Sequence, residues 1–347
     1  MPDTVLVHRL GGYGDYILLS AIIPFLQQSY NNIVLEVNNK GFELFGNDPR
    51  FSMVSVWEPS RYPLNEAHQR LERRTVEVSA WCQKHGWDFL NLYGTAEESC
   101  LAVNEVEAFQ YSQDEREHRY NINLYDHLFK VAGIEIPDGW KHEQTIWYDD
   151  FEEEAMKSWR AKNPDHFICF CVMAGSGQNK IFPTWLEGFC KKLVDKLPKL
   201  KLFLFGDQDC TKEVWQYDRT VSMVHGTTKY PVSFKQSLLL SKYADFVFGP
   251  ETGLLVGAGM MGTPKSMLFT LANKDQIVRY HRNDFSLQSS SECSPCYTLA
   301  YSGLFCPKES QYGLYPVCTD RIDLKNLRRT IAGHYQEWSL KHGWCRI

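Results

Sequence analysis

The residues best suited to chemistry near the start of the chain lie in a glycine-rich turn. A short apolar run, 5–7, leads into Gly11, Gly12 and Gly14, and the turn ends at Asp15. Glycines allow a backbone to approach a ligand closely, and the N-terminus of the helix that follows favours negative charge. An aspartate there would repel a phosphate, so its chemistry is to accept a proton from a hydroxyl. The plainer interpretation is that Asp15 only caps the helix.

A second acidic turn lies far downstream. An apolar run, 246–248, precedes a turn that carries Glu251, Thr252 and Gly253, and a helix of small and apolar residues follows from Leu254. The backbone amides and the hydroxyl at the start of that helix are groups that can hold a diphosphate. Taken alone, this segment is also an ordinary strand–helix–strand crossover.

Three blocks together resemble the heptosyltransferase family of glycosyltransferases. They are Arg9-Leu-Gly-Gly-Tyr-Gly-Asp15, the stretch 173–185 with its lysine and aromatic-Pro pair, and Gly249-Pro-Glu-Thr-Gly253 with Gly262-Thr-Pro264. The resemblance runs through most of the chain. It implies an α/β fold of GT-B architecture, in which two Rossmann-like domains face each other across a cleft and a C-terminal helix crosses back to the first domain.

The domain limits follow from this resemblance and from strand-like runs that alternate with helical segments in both halves. An acceptor-binding domain is expected over 1–155 and a nucleotide-sugar-binding domain over 156–325. The second domain includes a cysteine-rich loop, 289–319. The helix that returns to the first domain is expected within 326–347.

The resemblance also assigns roles to residues. Asp15 matches the catalytic base, and Lys180 matches the lysine that neutralises the donor phosphates, although a lysine at this point can also cap a surface loop. Arg9 is either a second cation for the donor or the partner of a structural carboxylate. The predicted contacts to donor phosphate and sugar are Gly12, Gly14, Ser176, Lys180, Glu251, Thr252, Gly253 and Leu254. The predicted nucleoside contacts are Val232 together with Asp207 and Gln208, which can equally form a simple turn.

Two departures from the family pattern bear on the donor. Glu251 stands where aspartate is usual, and Val256 stands where many relatives carry a histidine. The expected activity is inverting, metal-independent transfer from a nucleotide-diphosphate sugar, by resemblance an ADP-sugar such as ADP-heptose. The expected acceptor is a hydroxyl of a lipopolysaccharide-type glycan. The alternatives are a modified nucleobase or protein side chain as acceptor, a nucleotide-sugar epimerase of the same fold, and a non-catalytic nucleotide-binding protein.

Cysteines form the third notable feature. Four of the eleven lie close together in a Ser- and Pro-rich stretch, as Cys293, Cys296, Cys306 and Cys318. A C-x2-C pair with two further cysteines nearby suggests a structural zinc site. Disulfides and unpaired thiols are the alternatives. No cofactor is expected in catalysis itself.

Composition and net charge restrict the remaining choices of protein class, binding partner and location. The 347 residues are 44% hydrophobic and 23% charged, which is typical of a globular protein long enough for two domains. A net charge of −5 indicates no broad nucleic-acid surface. Neither a signal peptide nor a membrane span is evident, so a cytoplasmic location is expected. Contact with a membrane is expected only at its periphery, through a lipid-linked acceptor.

Overall fold

The computed structural model of the protein describes residues 2–58, 64–96, 98, 101–102, 111–173, 183–206, 210, 215, 217–224, 232–299 and 316–344. The chain divides into two compact units. The first comprises Met1–Ala96 and Leu124–Tyr148, and the second comprises Glu97–Asn123 and Asp149–Ile347.

Strands and helices alternate along both units. Up to the second sheet the elements are β1 (Thr4–His8), α1 (Tyr13–Ser20), α2 (Ile23–Ser29), β2 (Asn32–Val37), α3 (Asn39–Phe45), β3 (Met53–Val56), α4 (Leu64–His85), β4 (Asp88–Asn91), β5 (Leu101–Ala102), α5 (Gln113–Tyr120), α6 (Leu124–Val131) and α7 (Asp150–Ala161). They are followed by β6 (Phe167–Val172), α8 (Pro183–Lys196), β7 (Leu200–Phe205), β8 (Thr220–Ser222), α9 (Phe234–Lys242), β9 (Phe246–Pro250), α10 (Gly253–Met260), β10 (Lys265–Phe269), α11 (Lys274–Val278), β11 (Leu287–Gln288), β12 (Thr298–Leu299) and α12 (Leu324–Lys341), with a 3-10 helix at Val317–Arg321.

The first unit is built on a parallel sheet of four strands in the order β3-β2-β1-β4. Strand β1 is central, and Val5 pairs with Ile33 on one side and with Asp88 on the other. Its apolar residues are buried, as expected for a parallel strand covered on both faces. The strand order reverses between β1 and β4, and such a switch point is where open α/β sheets bind ligands, at the carboxyl ends of the strands.

The second unit is built on a parallel sheet of six strands in the order β11-β10-β9-β6-β7-β8. Counted from β6, this is the order 3-2-1-4-5-6 of the doubly wound dinucleotide-binding fold. Its core joins β6 to the helices on one face through residues such as Phe167, Leu193 and Ile331. The predicted α/β class with two Rossmann-like units is confirmed.

Helix α12 packs on the core of the second unit. Leu327, Ile331 and Trp338 are buried in that core at helical spacing, and Tyr335 packs against it. Trp338 also stacks edge-on with Phe167 of β6. The predicted return of the C-terminal helix to the first domain stays a prediction. No helix among the described residues combines the length and apolar character needed to cross a bilayer.

The segment Glu97–Asn123 leaves the first unit and belongs to the second. Strand β5 pairs in parallel with β12, and Arg116 donates to the carbonyl oxygen of Cys296 (3.3 Å). Gln276 of α11 donates in turn to the carbonyl oxygens of Tyr120 (2.6 Å) and Ile122 (3.2 Å). The predicted first domain, 1–155, includes this whole segment, because no local pattern indicates which sheet a polar, acid-rich stretch will join. The predicted limits stay a prediction.

Candidate active site

The glycine-rich turn connects β1 to α1 and determines where Asp15 lies. Gly12 is the N-cap of α1, and Asp15 is the third helical residue, so the aspartate is not itself the N-cap. Its Oδ2 accepts a hydrogen bond from the Gly12 amide (2.6 Å), while the Asp15 amide donates to the Gly12 carbonyl oxygen (3.1 Å). Asp15 therefore caps the helix from its third position and not as the N-cap that the sequence suggested, and the cap uses only one of the two carboxylate oxygens.

The other oxygen of Asp15 forms an ion pair with Arg9. Arg9 Nη2 lies 2.8 Å from Asp15 Oδ1, with the arginine side chain only 2% exposed and the aspartate 20% exposed. Of the two alternatives predicted for Arg9, a donor cation or the partner of a carboxylate, the structure shows a carboxylate partner, and that partner is the candidate base itself. A guanidinium held in a buried position fixes a carboxylate in direction as well as in charge.

A small pocket opens beside this ion pair, at the switch point of the first sheet. It is lined by Arg9, Asp15, Leu18, Thr95, Ala96, Leu124 and Leu128. Thr95 and Ala96 follow the carboxyl end of β4, while Arg9 follows the carboxyl end of β1. Thr95 is buried, and its hydroxyl donates to the Leu92 carbonyl oxygen (2.9 Å). The pocket therefore places one charged pair, with Asp15 still accessible, among small and apolar groups.

Close packing explains the first glycine of the turn. A Cβ atom at Gly11 would lie 2.4 Å from Asp15 Oδ2, which is inside contact distance. At Gly12 the same construction leaves 3.5 Å, an ordinary contact. Of these two glycines, Gly11 is therefore the one required by space, because any side chain there would displace the Asp15 carboxylate.

Hydrogen bonds of Tyr16 and Asn38 support the backbone of the glycine-rich turn. The Tyr16 hydroxyl donates to the Arg9 carbonyl oxygen (3.2 Å) and accepts from the Asn38 amide (3.0 Å). The Asn38 side chain donates to the Gly11 carbonyl oxygen (2.9 Å). Burial raises the pKa of Tyr16 well above its ordinary value, so the hydroxyl remains a donor at neutral pH.

A charged cluster stabilises the end of β1 next to Arg9. His8 Nδ1 lies 2.8 Å from Glu36 Oε2, and Arg74 Nε donates to Glu36 Oε1 (3.0 Å). Burial alone would raise the pKa of Glu36, but the hydrogen bonds from His8 and Arg74 outweigh it and lower the pKa. The Arg9 amide also donates to the Glu36 carbonyl oxygen (3.0 Å), so β2 fixes the backbone that carries the ion pair.

The acidic turn of the second unit is organised differently. Glu251 is 3% exposed, and its Oε1 accepts from the amides of Thr270 (2.6 Å), Leu271 (2.9 Å) and Ala272 (3.4 Å). Thr252 is the N-cap of α10, yet its hydroxyl makes no capping bond, and its buried Oγ1 has no hydrogen-bond partner among the described residues. Glu251 thus fastens the backbone after β10, a role that the sequence did not suggest.

The remaining predicted site residues are distributed as follows. Gly12 and Gly14 lie at the start of α1, and the Gly12 amide is engaged by Asp15. Gly253 begins α10, in which Leu254 and Val256 are buried. Val232 is half-buried just before the N-cap of α9. The predicted residues outside the described ranges are Ser176, Lys180, Asp207, Gln208 and Cys306. Their roles, like those of the other donor contacts, stay predictions.

Three of the four clustered cysteines are described. Cys318 is buried, Cys293 is half-buried with Sγ 3.3 Å from Ser291 Oγ, and Cys296 Sγ lies 3.7 Å from the Thr298 carbonyl oxygen. Ser289 donates to the Cys318 carbonyl oxygen (2.7 Å), which brings the two ends of the loop together. Among the described residues, no three His, Cys, Asp or Glu side chains are grouped as metal ligands would be.

Sequence reasoning missed most of the pocket around Asp15. Five of the lining residues belong to types that do not indicate a site by themselves. They are Leu18, Thr95, Ala96, Leu124 and Leu128. The available signal was positional, because Thr95 and Ala96 follow a predicted strand whose carboxyl end lies beside that of β1.

Comparison with known proteins identifies the fold. No protein-family model and no curated protein matches the sequence. Among solved structures, a family 9 glycosyl transferase from Veillonella parvula superposes with a TM-score of 0.63 at 11% identity, covering 96% of this chain and 97% of that one. ADP-heptose lipopolysaccharide heptosyltransferase II of E. coli gives a TM-score of 0.53 at 12% identity, covering 95% and 99%. The dodecameric iron-containing heptosyltransferase TibC, solved with ADP-D-β-D-heptose, gives 0.57 at 11% identity, covering 98% and 79%.

These similarities define the class of structure. The chain has the GT-B fold of glycosyltransferases, with two Rossmann-like units. Within that fold, the solved structures it resembles include heptosyltransferases, so the resemblance predicted from the sequence is confirmed in the fold.

Proposed function

We propose that the protein is an inverting glycosyltransferase that moves a sugar from an ADP-sugar donor, such as ADP-heptose, to a hydroxyl of a lipopolysaccharide-type glycan. The observation that carries the proposal is the Asp15–Arg9 pair, held at the switch point of the first sheet in a pocket with the carboxylate accessible. The fold supports it, since the similar structures are glycosyltransferases and one was solved with an ADP-sugar. A cytoplasmic location and a lipid-linked acceptor belong to the same proposal.

The reaction needs a base and a stabilised leaving group. Asp15 takes the proton of the acceptor hydroxyl, and the freed oxygen attacks the anomeric carbon from the face opposite the diphosphate. As the new C–O bond forms, the bond from the anomeric carbon to the diphosphate oxygen breaks, and the nucleoside diphosphate leaves with both electrons. One displacement inverts the anomeric centre. We assign stabilisation of the leaving group to Lys180 and to the start of α10.

The geometry of Asp15 suits this role. Arg9 and the Gly12 amide each use one lone pair on a different carboxylate oxygen, and an ionised carboxylate offers about four such positions. The unused positions can receive a proton, while the two bonds keep the carboxylate aimed at the pocket. Positioning of this kind is a main source of rate enhancement.

The first experiment identifies the donor. A thermal-shift screen with ADP-, GDP-, UDP- and CDP-sugars should show the largest stabilisation with the ADP-sugar, because a ligand that binds only the folded state raises apparent stability. Product analysis with a glycan acceptor should then show transfer with inversion. Epimerisation or hydrolysis of the donor at the same rate with and without acceptor would contradict the proposal.

We also propose that Cys293, Cys296, Cys306 and Cys318 hold one structural metal ion, with no part in the transfer step. Four thiolates within one Ser- and Pro-rich stretch suit tetrahedral zinc or iron. TibC is iron-containing, so both metals should be measured. Elemental analysis should give about one ion per chain, lost in Cys293→Ser but retained in Cys82→Ser, a buried cysteine of the first unit. Metal-free protein with four reactive thiols would contradict it.

A further inference from the structure

Five of the eight residues that line a groove on the second unit are basic. It lies between α8 and α12 and has a volume of about 340 Å³. Five basic side chains surround it and three apolar ones form its floor. The lining is Lys192, Leu193, Lys196, Leu197, Lys325, Arg328, Arg329 and Ala332. We call this the α8–α12 groove.

Within the part of the chain that the structure describes, the five cations of the groove have no side-chain partners. Four are exposed and Arg328 is half-buried, and none makes an ion pair or side-chain hydrogen bond within the described chain. Other cations of the same unit are paired, for example Lys235 with Glu152 (2.9 Å) and Arg160 with Asp245 (3.2 Å). Two acids lie near in sequence. Asp195 is exposed on α8, and Asp323 caps α12 by accepting from the Asn326 amide (2.9 Å).

The positive charge of the groove is opposite in sign to the net charge of the whole protein. The chain carries a net charge of −5, yet the groove gathers five positive charges and no negative one. Like charges repel one another, so binding of an anionic ligand beside this cluster is favoured. Because no acid of the described residues pairs with these cations, an anion from outside the chain can bind them.

The floor of the groove is rigid and apolar. Leu193 and Leu197 of α8 belong to the buried core of the second unit, as do Leu327 and Ile331 of α12. The two helices are therefore locked against the same core, and the groove between them does not depend on a loop. Lysine and arginine carry long apolar stems below their charges, so the walls also suit a ligand with an apolar part next to its anionic group.

We propose that the α8–α12 groove binds the headgroups of anionic phospholipids and docks the second unit on a membrane surface. Clusters of four to eight Lys and Arg on amphipathic helices are typical of such binding, and each residue near an anionic surface strengthens it about fivefold. The inference does not rest on the proposed transfer reaction, because its test measures binding without substrate.

The test is co-sedimentation of the full chain with vesicles. Wild-type protein should bind phosphatidylcholine vesicles that contain phosphatidylglycerol, should bind pure phosphatidylcholine far more weakly, and should be released by added salt. The variant Lys192→Glu with Lys325→Glu reverses one exposed charge on each helix. Removing the two cations alone should weaken binding about 25-fold, and their reversal should weaken it further.

The matched control reverses two lysines on the same helices outside the groove. Lys191→Glu with Lys341→Glu makes the same change in net charge, and should retain most of the binding. Equal losses of vesicle binding in the two variants would overturn the proposal. Failure of the wild-type protein to bind anionic vesicles at low salt would also overturn it. Protein that is stabilised by inorganic phosphate but does not sediment with vesicles would also overturn it. Thermal unfolding of both variants checks that they are folded.

Discussion

Each unit carries an acidic residue where a parallel strand passes through a turn into a helix, and the two acids are held in opposite ways. Asp15 of the first unit is 20% exposed, paired with Arg9 and open to a pocket. Glu251 of the second unit is 3% exposed and is enclosed by backbone amides that follow β10. The same strand–turn–acid–helix pattern therefore produces one carboxylate suited to proton transfer and one suited to fastening the backbone.

The difference shows what an acidic residue in such a turn requires in order to do chemistry. A carboxylate that accepts several amides in a buried place has little capacity left for a substrate, and its removal leaves donors without partners. A carboxylate with one ion pair and one capping bond keeps free lone pairs on an accessible side. The comparison predicts loss of activity from changes at Asp15 and loss of stability from changes at Glu251.

The largest effect is expected for Asp15→Asn. The amide cannot take a proton from the acceptor, so turnover should fall roughly 10²–10⁴-fold while the affinity for ADP stays nearly the same. Steady-state kinetics and calorimetry measure the two quantities. Asp138→Asn, an exposed acid of the same unit, is the control and should be neutral. Wild-type turnover in Asp15→Asn would exclude Asp15 as the base.

Glu251→Ala should act mainly on stability. The change leaves the amides of Thr270 and Leu271 buried without an acceptor, which should lower the free energy of unfolding by about 2–4 kcal/mol. Denaturant titration measures it, and Glu251→Gln should lose less because one acceptor oxygen remains. Glu292→Ala removes an exposed acid of the same unit and should change little. A fully stable Glu251→Ala with weakened donor binding would reverse the comparison.

Acid should destabilise the first unit through His142. Burial lowers the pKa of this histidine to about 3, so it stays neutral when folded but takes a proton when unfolded below about pH 6.5. Stability is therefore complete above about pH 6.5 and falls as the pH approaches 3, by about 2 kcal/mol at pH 5. Hydrogen exchange of first-unit amides should show this slope. Between pH 6.5 and 5, the slope should vanish in His142→Gln and persist in His85→Gln, an exposed control.

The smallest effect is expected for alanine substitutions at two neighbouring glycines, Gly11 and Gly12. Gly11→Ala places a Cβ against Asp15 Oδ2 and should turn the carboxylate away from its position, lowering turnover about tenfold with little loss of stability. Gly12→Ala has room for its Cβ and should keep nearly full turnover. The comparison of Asp15 with Glu251 would weaken if the two variants had the same kinetics, since the exact direction of the carboxylate would then not matter.

Sequence patterns predicted the sheets well because parallel strands buried on both faces are nearly continuous apolar runs, as in 5–7 and 246–248. The glycine turn and its aspartate were also predictable, since both are local in the chain. The docking of the segment containing α5 onto the second unit was not predictable. It depends on contacts such as Arg116 with the Cys296 carbonyl oxygen, between residues far apart in sequence.

The sequence by itself determined the α/β class and the positions of both acidic turns, because these follow from local periodicity and from glycines at fixed points. The two Rossmann-like units were implied by its resemblance to the heptosyltransferase family. Only the tertiary structure decided that Arg9 turns to Asp15, that Glu251 turns inward to the amides after β10, and that cations of two separate helices share one groove. A side chain's partner depends on which strands and helices become neighbours. The spacing of residues within a single segment does not indicate which elements those are.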